Sequence, residues 1–129
     1  MSSDKAEKIK VLIAEDDKLI ANAFYRSLTK AGFNIVLATD GVETIDLART
    51  EKPDIILLDL IMPKKNGFEV LEEMKKDEDL KSIVVIVLSN LEDDQSVLKT
   101  SGYGIAEYLL KSNFSIEKVV EKIKQHIKQ

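Results

Sequence analysis

Five short runs of apolar residues recur along the chain, separated by longer segments of mixed polarity. The runs are rich in Val, Ile and Leu, and they show no alternation between apolar and polar positions. Strands that are buried on both faces of a sheet have this pattern. We therefore predict five buried strands, at Val11–Ala14, Ile35–Ala38, Ile55–Leu58, Ile83–Leu88 and Tyr108–Leu110.

The segments between these runs carry apolar residues at the spacing of an amphipathic helix. Each such segment has one apolar stripe that would face a core: Ile20, Phe24, Leu28 and Ala31; Val42, Ile45 and Ala48; Phe68, Leu71 and Met74; and Ile116, Val119, Val120, Ile123 and Ile127. The segment Glu92–Ser101 is mostly polar, and only Val97 and Leu98 are available for burial in it. It predicts a short, weakly anchored fourth helix.

Residues that favour helix ends flank these stripes. Gly32 follows the first stripe as a candidate C-cap, because glycine readily adopts the left-handed backbone. Asp40 and Glu43 fit a capping box that opens the second helix, and Ser115 is a candidate N-cap of the last helix. Asp17 is expected either to cap the first helix or to support the neighbouring acids without binding a ligand itself.

The alternation of strand and helix, repeated five times, predicts an α/β fold. We expect a doubly wound parallel sheet with right-handed crossovers and five helices that flank its two faces. No Gly-rich phosphate loop follows the first strand, so a dinucleotide-binding fold is disfavoured. A chain of 129 residues suits one domain, which we assign to residues 9–129, and we expect residues 1–8 to form a flexible tail.

Composition narrows the classes of partner. The net charge of −4 argues against nucleic acid, which requires a basic face. The absence of cysteine excludes disulfides and thiolate metal sites. Neither a membrane span nor a signal peptide is indicated, so we expect a cytoplasmic protein with no membrane partner. The single histidine, His126, falls on the polar side of the last helix and is expected to be solvated.

Polar side chains follow four of the predicted strands. Glu15 and Asp16 come after the first strand, Asp59 after the third, Ser89 after the fourth and Lys111 after the fifth. The carboxyl ends of parallel strands meet at one edge, where open α/β folds bind their ligands. We therefore expect these five side chains to form one polar cluster.

The carboxylates of this cluster predict a magnesium site. Acids that lie within a few ångströms of one another repel, and a divalent cation with oxygen ligands relieves the repulsion. Neither His nor Cys is available near these positions for zinc or copper. A carboxylate can then attack phosphorus, while the cation and a lysine stabilise the transferred oxygens.

At these residues the chain resembles the receiver domains of two-component response regulators. The resemblance rests on the acid pair Glu15-Asp16, the stretch Leu57–Pro63 that contains Asp59, and Gly67, Ser89 and Lys111, in this order and at the family's spacing. It covers the chain from about Lys10 to Lys128. It also implies the flavodoxin-like strand order 2-1-3-4-5.

The resemblance implies a role for each residue of the cluster. Asp59 would accept the phosphoryl group, while Lys111 would pair with it and Ser89 would donate a hydrogen bond to it. Asp16 would bind Mg²⁺ directly, and Glu15 would bind it directly or through water. The backbone carbonyl of Ile61 would complete the protein ligands, and Tyr108 would be the aromatic switch that turns inward when Ser89 moves.

Four positions depart from the family pattern. Ser112 replaces a proline whose preceding peptide is commonly cis, so that either a strained Lys111–Ser112 bond or a different approach of the lysine is expected. Asn90 replaces a small residue and would narrow access to the acceptor. Ile61 and Leu91 replace polar residues that help water attack the phosphate, which predicts a long-lived phosphorylated state.

Three functions compete. The first is a stand-alone receiver that takes its phosphoryl group from a sensor histidine kinase or a phosphotransfer protein. It would signal through the face of the fourth helix, fifth strand and fifth helix, as a monomer or a phosphorylation-dependent dimer, and would catalyse only its own phosphorylation and slow dephosphorylation. The second is an unphosphorylated scaffold, which Asn90 and Ser112 would suit. The third is a magnesium-dependent phosphohydrolase, which normally carries a second acid at the position of Ile61.

Overall fold

The computed structural model describes residues 8–127 and contains five parallel strands. They are β1 (Lys10–Ala14), β2 (Asn34–Ala38), β3 (Ile55–Leu58), β4 (Val84–Ser89) and β5 (Glu107–Leu110). Each predicted strand is present, with bounds that differ by at most one residue at either end. The predicted tail, residues 1–8, lies outside the described residues except for Lys8.

The strands form one sheet in the order β2-β1-β3-β4-β5, as the resemblance implied. Ala14 at the end of β1 pairs with Ala38 of β2 and with Leu58 of β3. Glu15 and Asp59 are therefore the next residues along two adjacent strands. The register of the sheet alone places their side chains beside each other.

Five helices cover the two faces of the sheet. They are α1 (Lys18–Lys30), α2 (Gly41–Glu51), α3 (Gly67–Lys75), α4 (Asp94–Ser101) and α5 (Ile116–Ile127). One core cluster joins α1 and α5 to the sheet through residues that include Phe24, Leu28, Val119 and Ile123. A second cluster joins α2 and α3 to the opposite face. The predicted fold class is confirmed, and no described helix is long and apolar enough to cross a membrane.

Most of the expected helix caps are present. Asp17 accepts hydrogen bonds from the backbone N–H groups of Leu19 and Ile20, and Ser115 accepts one from Lys118. The C-cap of α1 is Ala31, one residue before the predicted Gly32, which has a φ of +102°, a conformation that favours glycine. The side chains of Asp17 and Ser115 thus satisfy backbone N–H groups that a helix leaves without partners at its start.

The predicted capping box of α2 is half formed. The carboxylate of Asp40 accepts a hydrogen bond from the backbone N–H of Glu43. Glu43, however, accepts from the backbone N–H and the hydroxyl of Thr39 rather than from Asp40. Val42 also departs from its prediction, because it lies 44% exposed while Ile45 and Ala48 are buried as expected. Val42 lies on the exposed side of the first turn, whereas Gly41 and Thr44 of the same turn are buried.

The fourth helix is short, as predicted, but it buries its polar side and not its two apolar residues. Val97 and Leu98 are 39% and 70% exposed, whereas Ser96 and Thr100 are buried. The hydroxyl of Thr100 donates to the carbonyl oxygen of Ser96, and the hydroxyl of Ser96 donates to Asp93. Because these local bonds satisfy both hydroxyl groups, α4 can bury its polar side and leave its apolar residues in water.

Candidate functional site

The carboxyl edge of the sheet brings the five predicted site residues together. The backbone N–H of Glu15 donates to Ala38 (3.0 Å), and that of Asp59 donates to Ala14 (3.1 Å), so the sheet bonding extends one residue past each strand. Both side chains are buried, and Ser89 at the end of β4 is fully buried. The backbone of the sheet therefore fixes where the acids lie.

Lys111 bridges the two buried acids. Its ammonium nitrogen lies 2.6 Å from Oε1 of Glu15 and 3.0 Å from Oδ2 of Asp59. The second oxygen of each acid is bound by backbone, since Oε2 of Glu15 accepts from Asp17 N–H and Oδ1 of Asp59 accepts from Ile61 N–H. The lysine is the counter-charge that allows two carboxylates to remain in a buried site.

Burial and pairing shift the titration of this group. Burial raises the pKa of the Glu15 carboxyl, and the hydrogen bond from Lys111 offsets only part of that effect. Burial works against a charged Lys111, but its hydrogen bonds to Glu15 and Asp59 outweigh this and raise the pKa of the lysine. Lys111 therefore stays protonated, and the site holds a positive charge between its two buried acids.

Asp16 completes an acidic cluster at the mouth of the site. One carboxylate oxygen from each of Glu15, Asp16 and Asp59 lies within 4.8 Å of the other two. Asp16 is exposed, whereas its two partners are buried. The neighbouring Asp17 points away and caps α1, as expected. The cluster thus offers a hard cation one solvent-facing ligand and two buried ligands.

Ser89 and Tyr108 meet at the loop that follows β4. The hydroxyl oxygen of Ser89 accepts a hydrogen bond from the backbone N–H of Leu91 (3.2 Å), and the hydroxyl of Tyr108 donates to the Leu91 carbonyl (2.7 Å). Burial raises the pKa of Tyr108, which keeps its hydroxyl a donor. The backbone of Leu91 therefore connects the hydroxyl of Ser89 to the side chain of Tyr108.

The serine that replaces the family proline does not prevent Lys111 from reaching the site. The described residues contain no cis peptide bond, and Lys111–Asn113 form one turn of 3-10 helix directly after β5. Lys111 still contacts both acids through the bonds given above. Of the two outcomes expected from Ser112, the strained cis bond is absent from the described residues, and Lys111 reaches both acids from a trans peptide.

The remaining departures lie at the surface of the site. Ile61 is 59% exposed although it directly follows the buried Leu60, and Asn90 is exposed beside Ser89. Leu91 is half-buried. Two apolar side chains and one amide therefore line the solvent-facing side of the site.

His126 corrects a prediction made from helix phase alone. It is half-buried, and its Nε2 lies 2.7 Å from Oε1 of Glu107 on β5. Lys122 binds the other carboxylate oxygen of Glu107 at 2.8 Å. Hydrogen bonds from Lys122 and then from His126 lower the pKa of Glu107. No pattern in the sequence indicates this cluster, because only the tertiary fold brings Glu107 to α5.

The fold and this arrangement of acids, hydroxyl and lysine define a receiver domain. A family model of the response regulator receiver domain matches residues 11–124. The chain belongs to this family, whose members are signalling domains of two-component systems.

Individual relatives differ in length. The chain is 34% identical over 108 residues to the probable transcriptional regulator ycf27 of Guillardia theta, across 84% of this chain and 41% of that protein. It is 29% identical over 119 residues to the polar-differentiation response regulator DivK of Brucella anthropi, across 91% of this chain and 94% of that protein. The chain spans less than half the length of several curated relatives that it matches.

A solved relative shares both fold and sequence. The phosphorylated cyanobacterial phytochrome response regulator RcpA superposes with a TM-score of 0.82 at 30% sequence identity. The superposition covers 93% of this chain and 94% of that one.

Proposed function

We propose that this chain is a phosphorylation switch that accepts a phosphoryl group on Asp59. The donor would be the phosphohistidine of a sensor kinase or a phosphotransfer protein, and the output would be a contact with another protein. The observation that carries the proposal is the convergence of Asp59 with two further acids within 4.8 Å and with the Lys111 ammonium at 3.0 Å. The phosphorylated state of the similar RcpA receiver supports it.

The donor set fits Mg²⁺. Glu15, Asp16 and Asp59 offer only hard carboxylate oxygens, and the carbonyl of Ile61 would add a fourth oxygen. Two ligands of one Mg²⁺ ion, each at about 2.1 Å, are at most about 4.2 Å apart. The oxygens of the cluster, all within 4.8 Å of one another, would need only small side-chain movements to reach that spacing. Three carboxylates, a divalent cation and Lys111 would together be electrically neutral.

Each residue of the site has a separate role in phosphoryl transfer. A carboxylate oxygen of Asp59 attacks phosphorus while the P–N bond to the donor histidine breaks, and the imidazole leaves with the electron pair and takes up a proton. Lys111, already held at 3.0 Å from Asp59, pairs with the oxygens that arrive. The acids that would hold Mg²⁺ place it where its positive charge would weaken the repulsion between the attacking carboxylate and the phosphoryl oxygens.

The contacts of Ser89 support a switch. When its hydroxyl turns to the phosphoryl group, it gives up the bond to the Leu91 backbone. Leu91 also accepts the hydrogen bond of Tyr108, so the loop and the ring would respond together. Phosphorylation would thereby shift the population between two conformations of this segment.

The proposed output face comprises α4, β5 and α5. The exposed Leu98 and Val97 of α4 are available for an apolar contact. Glu107 and Lys122 add charged groups on β5 and α5, and His126 adds an imidazole beside them. We expect a protein partner on this face.

Two alternatives remain distinct from this proposal. A phosphohydrolase for outside substrates would need a general acid where Ile61 stands, so we expect no turnover of such substrates. A scaffold that is never phosphorylated would be favoured by a blocked site. The 3.0 Å contact between the Lys111 ammonium group and Asp59 argues against a blocked site.

We expect hydroxylamine to locate the phosphoryl group on Asp59. The chain is treated with Mg²⁺ and acetyl phosphate, and then with hydroxylamine, which converts an acyl phosphate to a hydroxamate. Peptide mass spectrometry should find the hydroxamate at Asp59, and in much lower yield in Asp16→Asn, which lacks a cation ligand. Asp46→Asn, which changes an exposed acid of α2, should label like the wild type. A hydroxamate at another residue, or equal labelling in the presence of a chelator, would contradict the proposal.

A further inference from the structure

The loop from β3 to α3, residues 59–66, carries both Asp59 and the carbonyl of Ile61. Its first part is held from inside, because Leu60 is buried and its carbonyl accepts a hydrogen bond from Gly67 N–H (2.9 Å). Ile61 itself is 59% exposed, so packing of its side chain does not fix its carbonyl. The position of that carbonyl depends on what supports the loop beyond it.

The next residues of the loop rest on the N-terminal end of α2. The backbone N–H of Gly41 faces the carbonyl oxygen of Pro63 at 3.4 Å. The ammonium group of Lys64 lies 3.5 Å from Oδ2 of Asp40, the N-cap of the same helix. Lys65 N–H donates to Pro63 at 2.7 Å, which closes a tight turn against this support.

Gly41 permits this contact because it has no side chain. A Cβ at position 41 would overlap the carbonyl oxygen of Lys65 and lie 2.6 Å from the Lys65 Cβ. Gly41 is helical and does not have a positive φ, so lack of space, and not backbone conformation, requires glycine there. Any larger residue would push the helix end and the loop apart.

We infer that Gly41 is a positioning residue that holds the Ile61 carbonyl in place for the cation, through the contact of α2 with residues 63–65. This inference rests on the proposed function, because it concerns the same cation site. Gly41 touches none of the proposed ligands, and its effect passes through two residues of backbone from Pro63 to Ile61. Supports of this kind orient metal ligands without contacting the metal.

The test compares Mg²⁺ affinity with and without the contact. Mg²⁺ is titrated into the chain and followed through backbone amide shifts in NMR spectra. Parent and Gly41→Ala both carry Lys52→Gly, which relieves a positive φ of 50° just beyond α2 and compensates for lost stability. Ile45→Val, a buried change in the same helix that leaves the loop untouched, controls for stability alone.

We expect Gly41→Ala to raise the Mg²⁺ dissociation constant by about 10- to 100-fold and Ile45→Val to leave it unchanged. The Mg²⁺ concentration for half-maximal phosphorylation by acetyl phosphate should rise equally, while the rate at saturating Mg²⁺ is retained. A folded Gly41→Ala chain that binds Mg²⁺ like its parent would overturn the inference and leave the proposed function intact. A parent that binds no Mg²⁺ would instead contradict the proposed function, and the inference with it.

Discussion

Replacing Lys111 by methionine is expected to slow phosphorylation of Asp59 by about 10²- to 10³-fold, the usual effect of removing one donor that stabilises transferred oxygens. Methionine keeps much of the length of the side chain but supplies no charge to the phosphoryl group. The rate is measured from the growth of the phosphorylated mass with time, at saturating Mg²⁺. The exposed Lys118 offers a matched control, and Lys118→Met should react like the wild type.

The same variant should lose stability when no cation is present. Glu15 and Asp59 are buried, and without the lysine they would face each other with no counter-charge. Breaking a buried ion pair costs about 3–5 kcal/mol. Urea unfolding in a chelator measures this loss, and Mg²⁺ should restore much of it because the ion replaces the missing charge. Unchanged stability and an unchanged rate would contradict the role given to Lys111.

The site should make stability depend on pH in different ways in these two proteins. In the wild type, the raised pKa of Lys111 gives stability that is present below the ordinary lysine pKa and is lost as the pH rises through the raised value. In Lys111→Met that alkaline loss disappears. The buried Glu15, whose pKa burial already raises, then favours the folded state as the pH falls. In urea unfolding, the stability that the variant has lost relative to the wild type should therefore become smaller as the pH falls.

The second large effect concerns the lifetime of phospho-Asp59. Ile61 and Leu91 flank the site with apolar side chains that cannot orient a water molecule. The double variant Ile61→Asn, Leu91→Gln should hydrolyse its phosphoryl group about 10²-fold faster, the low end of what a positioned polar group contributes. The decay of the phosphorylated mass after removal of the donor measures both lifetimes.

An apolar control variant distinguishes the effect of side-chain polarity on the decay rate from the effect of side-chain size. Ile61→Val, with Leu91 unchanged, keeps the site apolar and should decay at the wild-type rate. If the wild type loses its phosphoryl group as fast as the polar double variant does, the account of these two positions is wrong.

The sheet and the core of the site could be predicted because they depend on local signals. Strands buried on both faces are uniformly apolar, so each run marks a strand and the first polar residue after it marks the sheet edge. Glu15 and Asp59 follow directly from that pattern, and the strand register places them side by side. The bridging position of Lys111 follows from its place at the end of β5.

What the sequence could not show depends on contacts distant along the chain. The prediction of which face of α4 is buried was wrong. A short helix with few apolar residues is oriented by its neighbours and by local hydrogen bonds of its hydroxyl groups, such as that of Thr100. The prediction that His126 is solvated was wrong because Glu107 contacts it only in the folded protein. Gly41 has no signal at all, since the loop that excludes a side chain there lies more than twenty residues further along the chain.

The central claim is tested most directly by the intact mass of the protein after incubation with Mg²⁺ and acetyl phosphate. Wild type and Asp46→Asn should each gain the mass of one phosphoryl group, while Asp59→Asn and a sample held in a chelator should gain none. A folded wild type that binds Mg²⁺ but gains no mass, or an Asp59→Asn variant that gains as much as the wild type, would contradict the claim that Asp59 is the phosphoryl acceptor.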